Sequence, residues 1–339
     1  MTTPPEKRIA ELAPGAAALA SAQVAAALEM LADHDLASLI FPWPDVHRVV
    51  HPVRPGRVVL IAAATGQGKS TFSFNFVRRL LNQCVPQPHV IDLICTETLT
   101  KEAWIHLACL DAGVPAGVAI NADWEAWGDR EAKQRVRDEM LALLHAYGAC
   151  GRLRIVPHES ITVRRVEEAA ASAARRGATL LVIDHLDRIE VGDKDEFQGT
   201  RFLARRLTDL AQMHNLVIVA FSQLNLQAHA GNRLAVYAPP RLVAMRGGGS
   251  KAEEAAVVLG IYRPKRGRML GETADEWTNV LRAVKAGDRP VTDAISRDMM
   301  GIVVMKHRYG IEGAPAFLRY DKGRLTEWAP TLAPRPGVV

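Results

Sequence analysis

Short apolar runs alternate with helix-forming stretches along most of the chain, and this alternation constrains the fold more than any other feature of the sequence. The runs predict strands at Val58–Ala62, His89–Cys95, Thr179–Asp184, Leu216–Ser222, Ala255–Ile261, Gly301–Lys306 and Ala316–Tyr320. The stretches between them predict helices at Lys69–Asn82, Leu99–Ala112, Trp124–Tyr147, Thr162–Arg176 and Glu196–His214. Strands that alternate with helices indicate an α/β fold, in which helices flank both faces of a mostly parallel central sheet.

A proline-punctuated segment divides the chain near its N-terminus. The segment "FPWPDVHRVVHPVRPG" runs from Phe41 to Gly56, and its prolines predict a connector without a regular helix. We therefore expect an N-terminal tail and helical segment over residues 1–40, a main domain over residues 41–325 and a C-terminal tail over residues 326–339.

The composition is that of a soluble protein able to bury a core, with 48% hydrophobic residues, 23% charged residues and a formal charge of +5. That mild excess of positive charge permits an anionic partner without requiring one. The four cysteines are scattered, which argues against a disulfide framework or zinc site and suits a reducing cytosol. The chain shows neither a signal peptide nor a sufficiently apolar span, so we expect a cytoplasmic protein without a membrane partner.

The segment "AAATGQGKST" (residues 62–71) follows the first predicted strand and is nearly the phosphate-binding loop G-x-x-x-x-G-K-[ST]. Lys69 is placed to reach the outer phosphates of a nucleotide, and the Ser70 hydroxyl is placed to hold Mg²⁺. Ala63 replaces the first glycine, which alanine can do where φ is negative. The predicted nucleotide-binding residues are Thr65, Gly66, Gln67, Gly68, Lys69, Ser70 and Thr71. The alternative is a plain strand–turn–helix corner.

Polar side chains follow three other predicted strands. Asp184 ends the apolar run "TLLVID" and is predicted to bind Mg²⁺ through water, with a turn aspartate as the alternative. Glu97 follows the second strand and is predicted to be the base for water, although the same segment resembles a helix start. Gln223 ends "LVIVAFSQ" and is predicted to sense the γ-phosphate, unless it only satisfies loop backbone. Asp187 is predicted to be a solvated or capping residue.

Taken in order, these motifs resemble the motor domain of the DnaB-like hexameric replicative helicases, a group that includes phage primase-helicases and Twinkle. The likeness covers residues 41–320 and runs through "ATGQGKST", the Glu97 segment, "LVIDH" and "AFSQLN". It implies a RecA-like P-loop NTPase core that uses ATP and Mg²⁺. It also implies a hexameric ring with ATP sites between subunits, single-stranded DNA in the channel, 5′ to 3′ movement, and a primase or helicase loader as a partner.

Two later segments extend the resemblance. "AMRGGGSKAEEAAVVLGIYR" is similar to the family's DNA-binding loop and next strand, which implies DNA contacts by Arg246, Gly247 and Gly249. "GIVVMKHRYGIEG" carries the family's K-x-R-x-G signature, which implies that Lys306 and Arg308 reach a neighbouring subunit's ATP site. A solvated turn and ordinary outward-facing strand residues are the respective alternatives.

The chain also departs from the family pattern. Ala63 replaces a glycine, Ala256 replaces a frequent acidic residue and Gly248 replaces a serine. Only about forty residues precede the motor domain, so we expect the family's large N-terminal domain to be missing. Residues 263–298 are an apparent insertion. A ring-forming ATPase switch and a strand-exchange recombinase therefore remain alternatives to the helicase.

Overall fold

A single mixed sheet organises the part of the chain that the computed structural model describes, namely residues 38–83, 88–157, 161–192, 196–224, 239–245, 249–263 and 299–327. Its strands are β1 Arg57–Ala63, β2 Ile91–Cys95, β3 Leu153–Val156, β4 Leu180–Asp184, β5 Val217–Gln223, β6 Val257–Tyr262, β7 Met299–His307, β8 Pro315–Asp321 and β9 Arg324–Glu327. Their order across the sheet is β3-β2-β4-β5-β1-β6-β7-β8-β9. Strands β1 to β6 pair in parallel, and β7, β8 and β9 continue the sheet antiparallel.

Helices cover both faces of this sheet. In the described residues they are α1 Pro44–Val49, α2 Lys69–Asn82, α3 Thr100–Ala112, α4 Ala116–Ile120, α5 Trp124–Trp127, α6 Ala132–Leu143, α7 Val163–Arg175, α8 Glu196–His214 and α9 Gly249–Glu254. A π-helical turn at Leu144–Gly148 extends α6, and 3-10 turns lie at Leu186–Arg188 and Leu242–Ala244. The α/β fold predicted from the sequence is confirmed.

Side chains of β1 alternate between two hydrophobic cores, as the two-residue period of a strand requires. Val59 and Ile61 belong to a core shared with α2, α3 and α6, whereas Val58 and Leu60 belong to a core shared with α7 and α8. The first core includes aromatic side chains of α2 and of the segment before it. Trp43, for example, lies 4.9 Å from Phe72 between ring centroids. Burial on both faces places β1 at the centre of the domain.

The register of the parallel strands determines which residues meet at their carboxyl ends. Ala63 of β1 pairs with Gln223 of β5, and Cys95 of β2 pairs with Asp184 of β4. The loop after β1 and the polar residues after β2, β4 and β5 therefore emerge from the same edge of the sheet. Ligands of open α/β sheets bind at this edge.

Three sequence predictions about the elements were wrong. Residues 41–56 do contain a helix, because Pro44 occupies the first turn of α1, where its missing N–H breaks no hydrogen bond. The stretch Trp124–Tyr147 is not one helix, since Gly128 ends α5 with a φ of 72°. Strands β3 and β9 were not predicted at all. Both have only four residues, and both carry charged side chains that obscure the apolar pattern.

Other predicted segments lie outside the described residues. These are the N-terminal helix, most of the insertion at residues 263–298 and most of the C-terminal tail. The predicted domain boundaries therefore stay predictions. Within the described ranges, no helix has the length and apolar character that crossing a membrane demands.

Candidate functional site

The loop between β1 and α2 has the backbone conformation of a phosphate cradle. Gly66 and Gly68 have φ values of 76° and 93°, in the left-handed region that side chains disfavour. The Gln67 N–H donates to the Ala64 carbonyl at 3.1 Å, which closes the turn. Gly68 is the N-cap of α2, so the free N–H groups and the dipole of a 14-residue helix point toward this loop.

Ala63, the departure from the usual motif, is accommodated without strain. It is the last residue of β1, it pairs with Gln223 and Ile261, and only 1% of its surface is exposed. It is not among the residues with positive φ. Because its backbone is an ordinary strand, a Cβ costs nothing at this position, and the condition stated from the sequence holds.

Lys69 and Asp184 form the charged centre of the site. Burial lowers the pKa of Lys69, although the charges of Asp184, Asp187 and Glu97 oppose that shift. Burial likewise raises the pKa of Asp184, and the charge of Lys69 opposes it. The buried Asp184 Oδ1 has no hydrogen-bond partner among the described residues. A buried carboxylate oxygen without a partner is costly, which suggests a cationic ligand at this point.

Glu97 lies beside this centre and is held by two donors. Its Oε1 accepts a hydrogen bond from Arg188 Nε at 3.0 Å and lies 3.0 Å from His185 Nε2. Partial burial acts to raise the pKa of Glu97, but the contacts with His185 and Arg188 and the charge of Lys69 outweigh it, so the pKa is below its usual value. Glu97 is therefore an oriented, ionised carboxylate with 45% of its side chain exposed.

Gln223 connects the end of β5 to the phosphate loop. Its Nε2 donates to Thr65 Oγ1 at 2.7 Å, and its backbone N–H donates to Asp187 Oδ2 at 2.6 Å. The sequence interpretation of Asp187 was wrong: its side chain is 6% exposed and pairs with Lys251. Nothing near Asp187 in the sequence indicates this partner, because Lys251 is 64 residues away.

Lys306 and Arg308 lie at the opposite edge of the sheet. Since β7 runs antiparallel, Lys306 pairs with Val258 near the start of β6, while Ala63 pairs with Ile261 near its end. Lys306 Nζ donates to the carbonyls of Ala252, Glu253 and Ala255, and Arg308 Nη2 donates to the Glu253 carbonyl. The fold therefore separates these two side chains from the phosphate loop of their own chain.

Comparison with known proteins identifies the family. The family described as "DnaB-like helicase C terminal domain" matches residues 43–322. The chain belongs to this family. No curated protein sequence matches the chain. The resemblance inferred from the motifs is confirmed, and the chain is accordingly a helicase-type NTPase of the RecA-like group.

Two solved structures share the fold of this DnaB-like domain. The first is the ATPase domain of another DnaB-like helicase, which has a TM-score of 0.70 and 17% identity, over 92% of this chain and 99% of that chain. The second, titled "The Structure Of A DnaB-Like Replicative Helicase And Its Interactions With Primase", has a TM-score of 0.69 and 18% identity, over 91% of this chain and 66% of that one. The chain thus spans slightly less than two thirds of the second protein.

The DNA-binding residues implied by the family are only partly described. Arg246 and Gly247 lie outside the described residues, whereas Gly249 is the first residue of α9. Helix α9 ends at Glu254, shortly before β6. The segment that the DnaB-like resemblance assigns to DNA is thus continuous with the helix that Lys306 and Arg308 contact.

The structure also shows two residues beside the phosphate loop that the sequence analysis missed. The guanidinium carbon of Arg263 lies 4.4 Å from the centroid of the Tyr320 ring, and the Arg263 N–H donates to Gln67 Oε1 at 2.8 Å. Tyr320 and Thr71 line one cavity of about 200 Å³. An arginine and a tyrosine at the ends of two separate strands form no motif, so only the fold brings them together.

Proposed function

We propose that the protein is an ATP-driven DNA helicase that assembles into a hexameric ring around single-stranded DNA and separates the duplex ahead of it. The convergence of Lys69, Asp184, Glu97 and Gln223 at one edge of the sheet, in a chain of the DnaB-like family, is the observation that carries this proposal. The proposed direction of travel, 5′ to 3′, rests on the family resemblance alone.

In this proposal the loop from Thr65 to Thr71 binds the phosphates of ATP. The N–H groups at the start of α2 and the Lys69 ammonium stabilise the negative charge of the β- and γ-phosphates. Glu97, kept ionised by its donors, orients the attacking water and accepts its proton. Gln223 senses the γ-phosphate through a side-chain amide that already contacts Thr65.

The same site is suited to Mg²⁺. Ser70 lies in the first turn of α2, and the orphaned Asp184 Oδ1 is an anionic oxygen of the kind that Mg²⁺ prefers, directly or through water. These two residues would hold the ion, and Mg²⁺ bound there would neutralise charge on the phosphates.

Arg263 and Tyr320 supply a flat surface for the base of the nucleotide. The faces of a guanidinium group and an aromatic ring both stack on planar groups. Their proximity to Gln67 and to the cavity beside Thr71 places this surface next to the phosphate loop. Stacking tolerates different bases, so we expect modest discrimination among nucleoside triphosphates.

Lys306 and Arg308 act in the ATP site of a neighbouring subunit. Their position at the far edge of the sheet excludes them from their own site, and a planar guanidinium donates well to a γ-phosphate. Hydrolysis then requires a ring, in which each interface contains one complete site.

Arg246, Gly247 and Gly249 hold the single-stranded DNA in the channel. Contacts to the phosphate backbone make this binding tolerant of sequence and sensitive to salt. In the proposed role a primase or a helicase loader is a further partner.

A forked-duplex assay tests the proposed function. We expect the wild-type protein to separate the strands in the presence of ATP and Mg²⁺, with single-stranded DNA stimulating its ATPase activity. Lys69→Ala, which removes the phosphate-binding ammonium, should do neither. Forks with only a 5′ or only a 3′ tail determine the direction of travel.

The outcomes separate the alternative functions. Hydrolysis that neither responds to single-stranded DNA nor unwinds the fork would overturn the helicase and favour an ATPase switch. Pairing of homologous strands without unwinding would favour a recombinase.

A further inference from the structure

A buried ion pair lies beside the proposed hydrolytic site and is not part of the proposed chemistry. Asp187 Oδ1 contacts Lys251 Nζ at 2.5 Å, and the two side chains are 6% and 4% exposed. Ser222 Oγ donates to Asp187 and accepts from Lys251 Nζ at 3.2 Å. The pair thus joins three parts of the chain: the turn after β4, the end of β5 and helix α9.

Asp187 contacts residues next to both Gln223 and Glu97. Its Oδ2 accepts the backbone N–H of Gln223 at 2.6 Å, which positions the residue whose side chain contacts the phosphate loop. The same Oδ2 lies 3.5 Å from His185 Nδ1, and the opposite ring nitrogen of His185 lies 3.0 Å from Glu97. A displacement of Asp187 is therefore transmitted to the proposed sensor and to the proposed base.

Lys251 brings helix α9 into this network. The carbonyls at the C-terminal end of α9 accept hydrogen bonds from Lys306 Nζ, while Lys251 is held at Asp187. Helix α9 therefore connects the two edges of the sheet, because one of its contacts leads to the hydrolytic site and the other to the residues proposed to act in the neighbouring subunit.

Stability alone does not account for such a pair. Removing two charges from water costs several kcal/mol per ion, and apolar residues of similar volume often stabilise a buried position equally well. Burial acts to raise the pKa of Asp187, but His185, Lys251 and the Gln223 N–H lower it further, so Asp187 is an anion. A carboxylate that is ionised, buried and shared among four groups specifies a geometry.

We propose that Asp187 and Lys251 are positioning residues through which helix α9 controls the alignment of Glu97 and Gln223. The inference rests on the proposed function of these two residues in ATP hydrolysis. It does not make Asp187 or Lys251 catalytic, since neither is placed to touch the nucleotide.

Steady-state ATPase kinetics of the full chain test the proposal. Lys251→Met removes the charge but retains an unbranched side chain, and we expect kcat to fall about tenfold or more while KM for ATP changes less than about threefold. Misalignment by roughly 1 Å costs up to about 100-fold in rate, whereas the phosphate loop is untouched. Lys251→Arg keeps the charge and should retain most of the activity. A residue with only a structural role would not produce this separation of kcat from KM.

The double variant Asp187→Asn/Lys251→Met guards against loss of folding. It leaves no unpaired buried charge, so we expect a wild-type thermal unfolding midpoint together with a lowered kcat. Arg205→Met is the matched control. It removes another ion pair to α9, the surface contact of Arg205 with Glu254 at 3.4 Å, and should leave kcat unchanged.

The proposal is overturned if the folded double variant has the kcat of the wild type, or if Lys251→Arg is as impaired as Lys251→Met. A wild-type protein that hydrolyses ATP but ignores single-stranded DNA overturns the proposed helicase instead, and the kcat comparison still decides the positioning role. A wild-type protein without ATPase activity overturns both.

Discussion

The two edges of the sheet carry the two groups of predicted site residues, and they differ in how complete they are. At the carboxyl edge, Glu97 and Gln223 are already oriented by His185 and Thr65 around the phosphate loop. At the amino edge, the hydrogen bonds of Lys306 and Arg308 in the described part of the chain go to main-chain carbonyls of α9 and of Ala255.

This difference teaches that polar residues at a strand end are informative only with the direction of the strand. The carboxyl ends of parallel strands converge, so β1, β2, β4 and β5 bring their polar residues into one site. Strand β7 runs the other way, and its C-terminal residues are carried to the far edge. A pair of cations in that place is useful for phosphate chemistry only in another molecule.

The largest effect is expected for the arginine of the amino edge. Arg308→Ala should lower ATP hydrolysis by the assembled protein about 10³-fold or more, because arginine fingers contribute roughly 10³ to 10⁵ in rate. ATP binding to the phosphate loop should remain within a few fold. ATPase rates and nucleotide affinities measured on the same preparation check this expectation. Arg319→Ala, an exposed arginine on the neighbouring β8, is the control.

Mixing subunits shows whether Arg308 acts in trans. Rings formed from Arg308→Ala and Lys69→Ala subunits contain some interfaces with an intact Lys69 and an intact Arg308, and these should recover ATPase activity. If the mixture shows no activity beyond the sum of its parts, the contrast between the two edges disappears.

A smaller loss is expected at the carboxyl edge. Glu97→Gln retains an oxygen that accepts from His185 and Arg188 but removes the base, so kcat should fall about 10²- to 10⁴-fold while ATP still binds. Single-turnover hydrolysis measures the chemical step. The matched control is Glu102→Gln, because Glu102 accepts the Leu99 N–H at the start of α3 and lies outside the site. A Glu97→Gln protein with the wild-type rate would remove Glu97 from the mechanism.

The smallest effect is expected for a buried group that precedes β2 at the amino edge. Burial and the charge of Arg152 lower the pKa of His89 to about 4. A lowered histidine pKa means that the unfolded chain takes up the proton first. Stability is therefore fully present above about pH 6.5 and is lost as the pH falls toward 4.

That loss should amount to at most about 3 kcal/mol in the free energy of unfolding, since each pKa unit is worth about 1.36 kcal/mol. Denaturant unfolding between about pH 7 and about pH 4 measures it. His89→Gln should flatten the profile and leave kcat at neutral pH unchanged. A lowered kcat would show that the amino edge influences the site beyond Lys306 and Arg308.

The elements with strong periodic patterns were predictable from the sequence. Helices α2 and α8 begin and end at the predicted residues, and β1 differs by one residue at each end. The weak elements were not predictable, because Arg154 in β3 and three of the four residues in β9 look like solvent-exposed loop. Arg154 enters the sheet because it pairs with the buried Asp92 of β2.

The candidate site was predictable to the extent that its residues belong to motifs. Lys69, Asp184, Glu97 and Gln223 each follow a recognisable strand, and the structure brings them together. Asp187 was misjudged because its exposure depends on a helix far along the chain. The roles assigned to all these residues stay proposals.

The sequence by itself determined the order of strands and helices, the phosphate loop and the family, since these depend on periodicity and on residues close together in the chain. Only the tertiary structure decided that Ala63 fits a strand, that Asp187 pairs with Lys251, that Arg263 lies over Tyr320, and that Lys306 and Arg308 face away from their own site. The physical reason is that burial and electrostatic pairing depend on which distant segments a parallel sheet places side by side. Local patterns carry no information about that neighbour.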